Sequence, residues 1–293
     1  VNSKGVLVVG FYEVDSKYIG KDAGFEIGDT ITKINGTAVS DINEMVNAVN
    51  SEAEKDNQLD VTIIRDDKSS NLTLDMICDS DNVCKTGLYV KDEITGIGTL
   101  TYIDPKTTIF GALGHEITER TTGEKFEIKD GKIFKATVTD NTKSENGSPG
   151  EKNAIYDEGV TYGSISSNEE SGIFGEYTDE LLETNALEVG TKDDVKKGEA
   201  TIRTVINGNE VKEYTINILN VNKDSSIKNI LFEITDEELL NETGGVIQGM
   251  SGSPIIQNEK LVGAVTHVIV NDAKKGYGIF ITTMLEEGDK SVD

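Results

Sequence analysis

The chain has 293 residues, with 28 Lys and Arg against 53 Asp and Glu, two His, two Cys and a formal net charge of −25 at pH 7. That length exceeds one typical domain, so two domains or one large β unit are expected, with ample chain to bury a core. The acidic surplus repels phosphate backbones and anionic lipid, so nucleic acid is not an expected partner. The longest apolar run, "LVGAVTHVIV" (Leu261–Val270), falls well short of the ~20 residues that cross a bilayer.

In chain order, "GVLVVGF" (Gly5–Phe11) reads as a continuous apolar strand, and "DTITKINGTAV" (Asp29–Val39) alternates into an Asn35-Gly36 turn. Asp41 and Glu44 form a capping-box pattern, and Ile42, Met45, Val46 and Val49 recur at helical spacing behind it. "DVTIIRD" (Asp60–Asp66) and "SNLTLDM" (Ser70–Met76) add two strands. Cys78 and Cys84 in "CDSDNVC" lack the His or second Cys pair that zinc would want; a small-loop disulfide and two free thiols both fit. From about Val90 the texture becomes short strands between Gly, Asn, Asp and Lys, including "GIGTLTYI" (Gly96–Ile103), "KIFKATVTD" (Lys132–Asp140), "EATIRTVI" (Glu199–Ile206), "KEYTINILNV" (Lys212–Val221) and "KLVGAVTHVIV" (Lys260–Val270). That spacing predicts a sandwich or barrel. Helical text there is limited to "DEELLNE" (Asp236–Glu242) and "TDELLET" (Thr178–Thr184).

Chemistry concentrates in "GGVIQGMSGSPIIQ" (Gly244–Gln257). A nucleophilic serine needs a general base, a group that orients the base, and backbone N–H groups aimed at the oxyanion. Gly249 permits backbone angles that turn its N–H and that of Ser251 into one concavity, which makes Ser251 a better nucleophile candidate than Ser253 beside Pro254. The same residues also suit a plain tight turn into a strand. With only two histidines in the chain, the base is His115 or His267. His267 lies mid-strand in "GAVTHVIV", where a half-buried structural residue is the plainer reading, whereas His115 follows Gly111 and Gly114 in "FGALGHEI" at a strand-to-turn transition. Spacing alone selects no carboxylate.

Six ordered blocks, "GALGH", "GEKNAIY", "GIFG", "KKGEATI", "TGGVIQGMSGSPIIQ" and "GAVTHVIVNDAKKGYGI", resemble the stage IV sporulation protein B family of serine peptidases, and "GVLVVGF" with "AGFEIGDTITKINGTAV" resembles a bacterial PDZ domain. The resemblance implies a mainly β protein, a small α+β PDZ domain (1–80), a linker (81–90) and a chymotrypsin-like double β-barrel (91–293). It places the catalytic histidine on His115, the aspartate on Asp236 and the serine on Ser251, with the N–H groups of Gly249 and Ser251 as oxyanion hole. Asp236 also reads as the N-cap of "EELLNE", with Asp104 as the standby acid. Gly5, Val6, Leu7 and Val8 form the candidate peptide-binding strand, by edge pairing. The implied role is endospore formation: self-cleavage near the N-terminus, and cleavage of a membrane-associated regulatory protein that then frees an intramembrane protease. The implied location is extracytoplasmic, in the space between forespore and mother-cell membranes, with any signal or anchor absent from this sequence. No metal or organic cofactor is expected. The rival expectation is a non-catalytic PDZ-containing scaffold that positions a partner.

Overall fold

The computed structural model describes residues 1–53, 57–81, 83–181 and 186–291. The chain divides into two compact units, Val1–Thr95 with Thr118–Lys129, and Gly96–Ile117 with Asp130–Asp293.

In the first unit, β1 (Asn2–Phe11) buries Val6 and Val8 completely, as its apolar run predicts. The one-turn α1 (Ile19–Asp22) leads to β2 (Thr30–Ile34) and β3 (Thr37–Ala38). Asn35 and Gly36 join these two strands with φ of 48° and 78°. Both values are positive, as a tight two-residue hairpin turn requires. α2 (Ile42–Ala53) starts as the capping pattern predicts, with the Glu44 N–H donating to Asp41 Oδ1 at 2.8 Å. Met45 and Val49 are buried, but Val46 is 48% exposed, so the buried stripe is narrower than its spacing suggests.

β4 (Gln58–Arg65) and β5 (Lys68–Asp75) form a hairpin that returns Arg65 to Asp29 through two 2.6 Å bonds, Nε to Oδ1 and Nη2 to Oδ2. β6 (Ile77–Cys78) and β7 (Cys84–Lys85) are joined by a Cys78–Cys84 disulfide, which settles the pairing that the sequence left open. β8 (Leu88–Glu93) then pairs antiparallel with β1, placing Val90 opposite Val8. The 81–90 stretch expected as a linker therefore carries strand residues, and Leu88 belongs to the core of this unit. Thr118–Lys129 returns to the same unit, with the Lys4 N–H donating to the Glu127 carbonyl at 3.1 Å.

The second unit is β throughout, with two short helices. β9 (Leu100–Ile103), β10 (Ile109–Ala112), β11 (Ile128–Thr142), β12 (Glu151–Glu169) and β13 (Gly172–Tyr177) pair antiparallel in the order β11-β12-β13-β10-β9. The Thr178–Thr184 reading runs into 182–185, which lie outside the described residues.

β14 (Glu188–Val189), β15 (Gly198–Val205), β16 (Val211–Val221), β17 (Ile230–Ile234), α3 (Glu237–Thr243), β18 (Pro254–Gln257), β19 (Lys260–Val268), β20 (Lys275–Phe280) and α4 (Ile281–Lys290) complete the chain. β15, β16, β17, β20, β19 and β18 close on themselves into a six-stranded antiparallel barrel, because β19 pairs with β20 as well as β18. Alternation fills it: Ala200, Ile202 and Thr204 of β15 are buried while Thr201, Arg203 and Val205 between them are not. Ile202, Ile216, Phe232 and Ile255 meet in its core at 0% exposure. Closure removes sheet edges and leaves the loops at the barrel ends to carry chemistry.

Candidate active site

The loop before β18 carries the serines. Gly249 and Gly252 adopt φ of 94° and 91°, a region that side-chain-bearing residues rarely enter. A Cβ on Gly252 would collide with the Thr99 carbonyl and the Leu113 amide, and one on Gly249 would press on the Lys152 methylenes at 3.1–3.2 Å. The loop is held from both sides. Gln248 exchanges backbone bonds with Gly150 and Lys152 of the β12 region at 2.7 and 2.9 Å, and Thr99 donates its N–H to the Ser251 carbonyl and its hydroxyl to the Gly249 carbonyl. Under Gly249, the buried Lys152 ammonium donates to Thr204 Oγ1 at 2.7 Å, and burial pushes its pKa down to about 8.

Within the loop, the N–H groups of Met250, Gly252 and Ser253 donate to Ile247, Val265 and Met250 carbonyls respectively. Those of Gly249 and Ser251 have no partner among the described residues. Two unclaimed donors separated by one claimed donor suit an oxyanion hole. Ser253 is 0% exposed, whereas Ser251 is only half-buried.

His115 arrives by a strained turn. After β10, Leu113 has φ 69° and Gly114 φ 70°, and the Gly114 N–H bonds back to the Ala112 carbonyl at 2.8 Å, closing a γ-turn at Leu113. This turn packs Gly114 against Thr266, whose Cγ2 would lie 2.9 Å from any Cβ there. Thr266 sits at a β-bulge between Val265 and His267 of β19, and its carbonyl accepts the Ser251 hydroxyl at 3.1 Å. The His115 and His267 rings lie 5.4 Å apart, centre to centre. Ser251 and both histidines thus converge on the Thr266 end of β19. Among the described residues no hydrogen bond joins Ser251 to His115; the hydroxyl rests on Thr266.

The His115 Nδ1 lies 2.7 Å from the Glu116 carbonyl oxygen. A carbonyl only accepts, so Nδ1 carries the proton and Nε2 keeps the lone pair a general base needs. Burial lowers the His115 pKa, partly opposed by this bond and by the Glu116 charge. Burial and the neighbouring His115 together push His267 down to about 4.

The other expected residues stand elsewhere. Asp236 is the N-cap of α3: Oδ1 accepts the Leu239 N–H at 3.0 Å and Oδ2 the Thr215 N–H at 3.3 Å, and no hydrogen bond links it to His115 among the described residues. Asp104 Oδ1 accepts the Lys106 N–H in its own turn. Gly5–Val8 lie in a strand paired on both sides, Val6 opposite Ile31 and Val8 opposite Val90, so that stretch offers no free edge for an added peptide. Thr99 and Thr266 were not legible as site residues, because their bonds to the serine loop join segments that only folding brings together.

Residues 82–285 match the SpoIVB peptidase S55 family, and residues 1–76 match the PDZ domain family. The chain belongs to the SpoIVB peptidase S55 family. It is a serine peptidase that carries a PDZ domain. Among the solved structures similar to this S55 peptidase are two forms of one protease and a PDZ domain. The active form of the Rv3671c protease from M. tuberculosis is 13% identical, covering 84% of this chain and 85% of that one with a TM-score of 0.36. An inactive form of the same protease is 11% identical over 54% and 88% (TM-score 0.32). The PDZ domain of an SdrC-like protein from Listeria monocytogenes is 21% identical over 31% and 90% (TM-score 0.25). No curated protein matches the chain.

Proposed function

We propose that this S55 peptidase is an extracytoplasmic serine endopeptidase in which Ser251 is the nucleophile, His115 the general base, and the N–H groups of Gly249 and Ser251 the oxyanion hole. Ser251 Oγ swings from the Thr266 carbonyl to His115 Nε2 and attacks the scissile carbonyl. Its proton passes to Nε2 as the Oγ–C bond forms, and then to the leaving amine as the peptide C–N bond breaks. Water, activated by the same imidazole, then hydrolyses the acyl-enzyme. The observation that carries this reading is the convergence of Ser251 and His115 on Thr266 beside two unclaimed backbone donors. A triad role for Asp236 requires its carboxylate to leave the Leu239 and Thr215 amides.

The finer reading follows the family. The substrates are the protein's own N-terminal region and a membrane-associated regulator of an intramembrane protease, cut between forespore and mother-cell membranes during endospore formation. Family membership and the PDZ unit, a class of domain that binds peptide strands, support it.

A fluorophosphonate probe tests the core of the proposal. Labelling is expected once per chain, at Ser251, and abolished by Ser251→Ala; labelling at Ser253 would reassign the nucleophile.

A further inference from the structure

We propose that Asn168 is a positioning residue that orients the His115 imidazole through the Glu116–Ile117 peptide and so takes up a task usually given to a carboxylate. The inference rests on His115 being the general base. Asn168 lies near the end of β12 and is 3% exposed. Its Oδ1 accepts the Ile117 N–H at 2.7 Å, and its Nδ2 donates to the Ile117 carbonyl at 2.9 Å. One side-chain amide thus does for Ile117 what a neighbouring strand would do, in a stretch, His115–Ile117, that belongs to no strand. The two bonds also settle the amide's orientation, since the swapped group would face donor with donor.

The Ile117 N–H and the Glu116 carbonyl are the two ends of one planar peptide. Asn168 grips the N–H end, and the carbonyl end meets His115 Nδ1 at 2.7 Å. Fixing one end of a rigid plane fixes the direction of the other. An N–H already donating also polarises its own carbonyl, which makes that oxygen a better acceptor. When Ser251 gives its proton to Nε2, the imidazolium is stabilised by that polarised oxygen, and before transfer the same bond keeps Nδ1 protonated and Nε2 free. Among the described residues no carboxylate hydrogen-bonds to His115, and the ring's hydrogen bond is the one to the Glu116 carbonyl.

The test measures fluorophosphonate labelling of Ser251 in the full chain across pH, separating maximal rate from probe affinity, with thermal midpoints recorded for each variant. For Asn168→Ala the maximal rate falls roughly 10- to 100-fold, by analogy with loss of the hydrogen-bond partner behind a metal-bound imidazole; probe affinity is unchanged and the acid limb moves to lower pH. Asn168→Asp keeps the acceptor and adds a negative charge behind the peptide, so its acid limb moves to higher pH. A purely structural Asn168 would lower thermal midpoints and leave both limbs in place. If both variants label at the parent rate with the parent pH profile while His115→Ala does not label, the inference fails and the base assignment stands. Labelling of His115→Ala at the parent rate removes the base assignment itself. Should Asn168→Ala not fold, imidazole nitrogen NMR of the parent chain decides, with His267→Gln assigning the two signals. His115 is expected with its proton on Nδ1, and a dominant Nε2–H form overturns the proposal.

Discussion

His115 lies in a setting that lowers its pKa by burial. The proposed general base works only while neutral, so activity is expected to be lost as pH falls through that pKa; because the value is depressed, the expected acid limb of kcat/KM lies below the ~6.5 of a free imidazole. A profile of labelling rate against pH measures it, and a limb above the free value would mean that a carboxylate, not burial, dominates. Asp236 is the residue on which sequence resemblance and structure differ most. Its oxygens are committed to the Leu239 and Thr215 amides, so Asp236→Asn, whose one oxygen keeps the helix cap but not the longer Thr215 bond as well, is expected to leave turnover near the parent value and to lower the thermal midpoint slightly. Asp236→Ala is expected to cost about 1 kcal/mol of stability. A loss of roughly ten-thousand-fold in Asp236→Asn, the scale seen when a triad acid loses its charge, would instead place Asp236 behind His115 in the working enzyme.

The elements that carry the site are short turns whose geometry is set by contacts on both sides. The Leu113–Gly114 turn bends the chain after β10 and delivers His115 to β19. Gly114→Ala places a Cβ at φ 70° and 2.9 Å from Thr266 Cγ2. The left-handed conformation alone costs about 1–2 kcal/mol, and the collision displaces His115. The expected result is a thermal midpoint lower by several degrees together with a fall in Ser251 labelling larger than the stability loss explains. Unchanged labelling would show that His115 tolerates movement of this turn. The bulge at Thr266 is the matching device on β19, since it aims one carbonyl at Ser251 without breaking the barrel.

At the scale of the whole molecule, the first unit is larger than its sequence block. The PDZ match ends at residue 76, yet β8 supplies a strand beside β1 and buries Leu88 at 5% exposure. Burying one leucine is worth about 1.5–3 kcal/mol, and β8 also covers an edge of β1 that would otherwise invite aggregation. A fragment spanning 1–95 is therefore expected to melt well above one spanning 1–80 and to stay monomeric longer, by thermal denaturation and size-exclusion chromatography. Equal midpoints would mean that β8 adds nothing to this unit. Thr118–Lys129 belongs to the same unit and follows directly on His115–Ile117, so the chain leaves the second unit two residues after His115 and returns to it after twelve residues.

Several features were legible in the sequence because they depend on near neighbours alone. The Asn35-Gly36 hairpin follows from two residues able to take positive φ, the start of α2 from an Asp three residues ahead of a Glu, and the barrel strands from period-two alternation such as that of β15. The shortlist of Ser251 and two histidines was equally local, since composition allowed few candidates. Tertiary structure decided which groups meet. β1 reads as an apolar strand free to pair, but pairing on both sides closes it at Gly5–Val8. Asp236 reads equally as triad acid and helix cap, and its oxygens point to two backbone amides. Asn168 carries no sequence signal, because its partner is a peptide group 51 residues away that every residue type supplies. Local patterns are written in residue identity, whereas strand register, bulges and side-chain bonds to backbone depend on contacts between distant segments, whose partners one-dimensional spacing does not record.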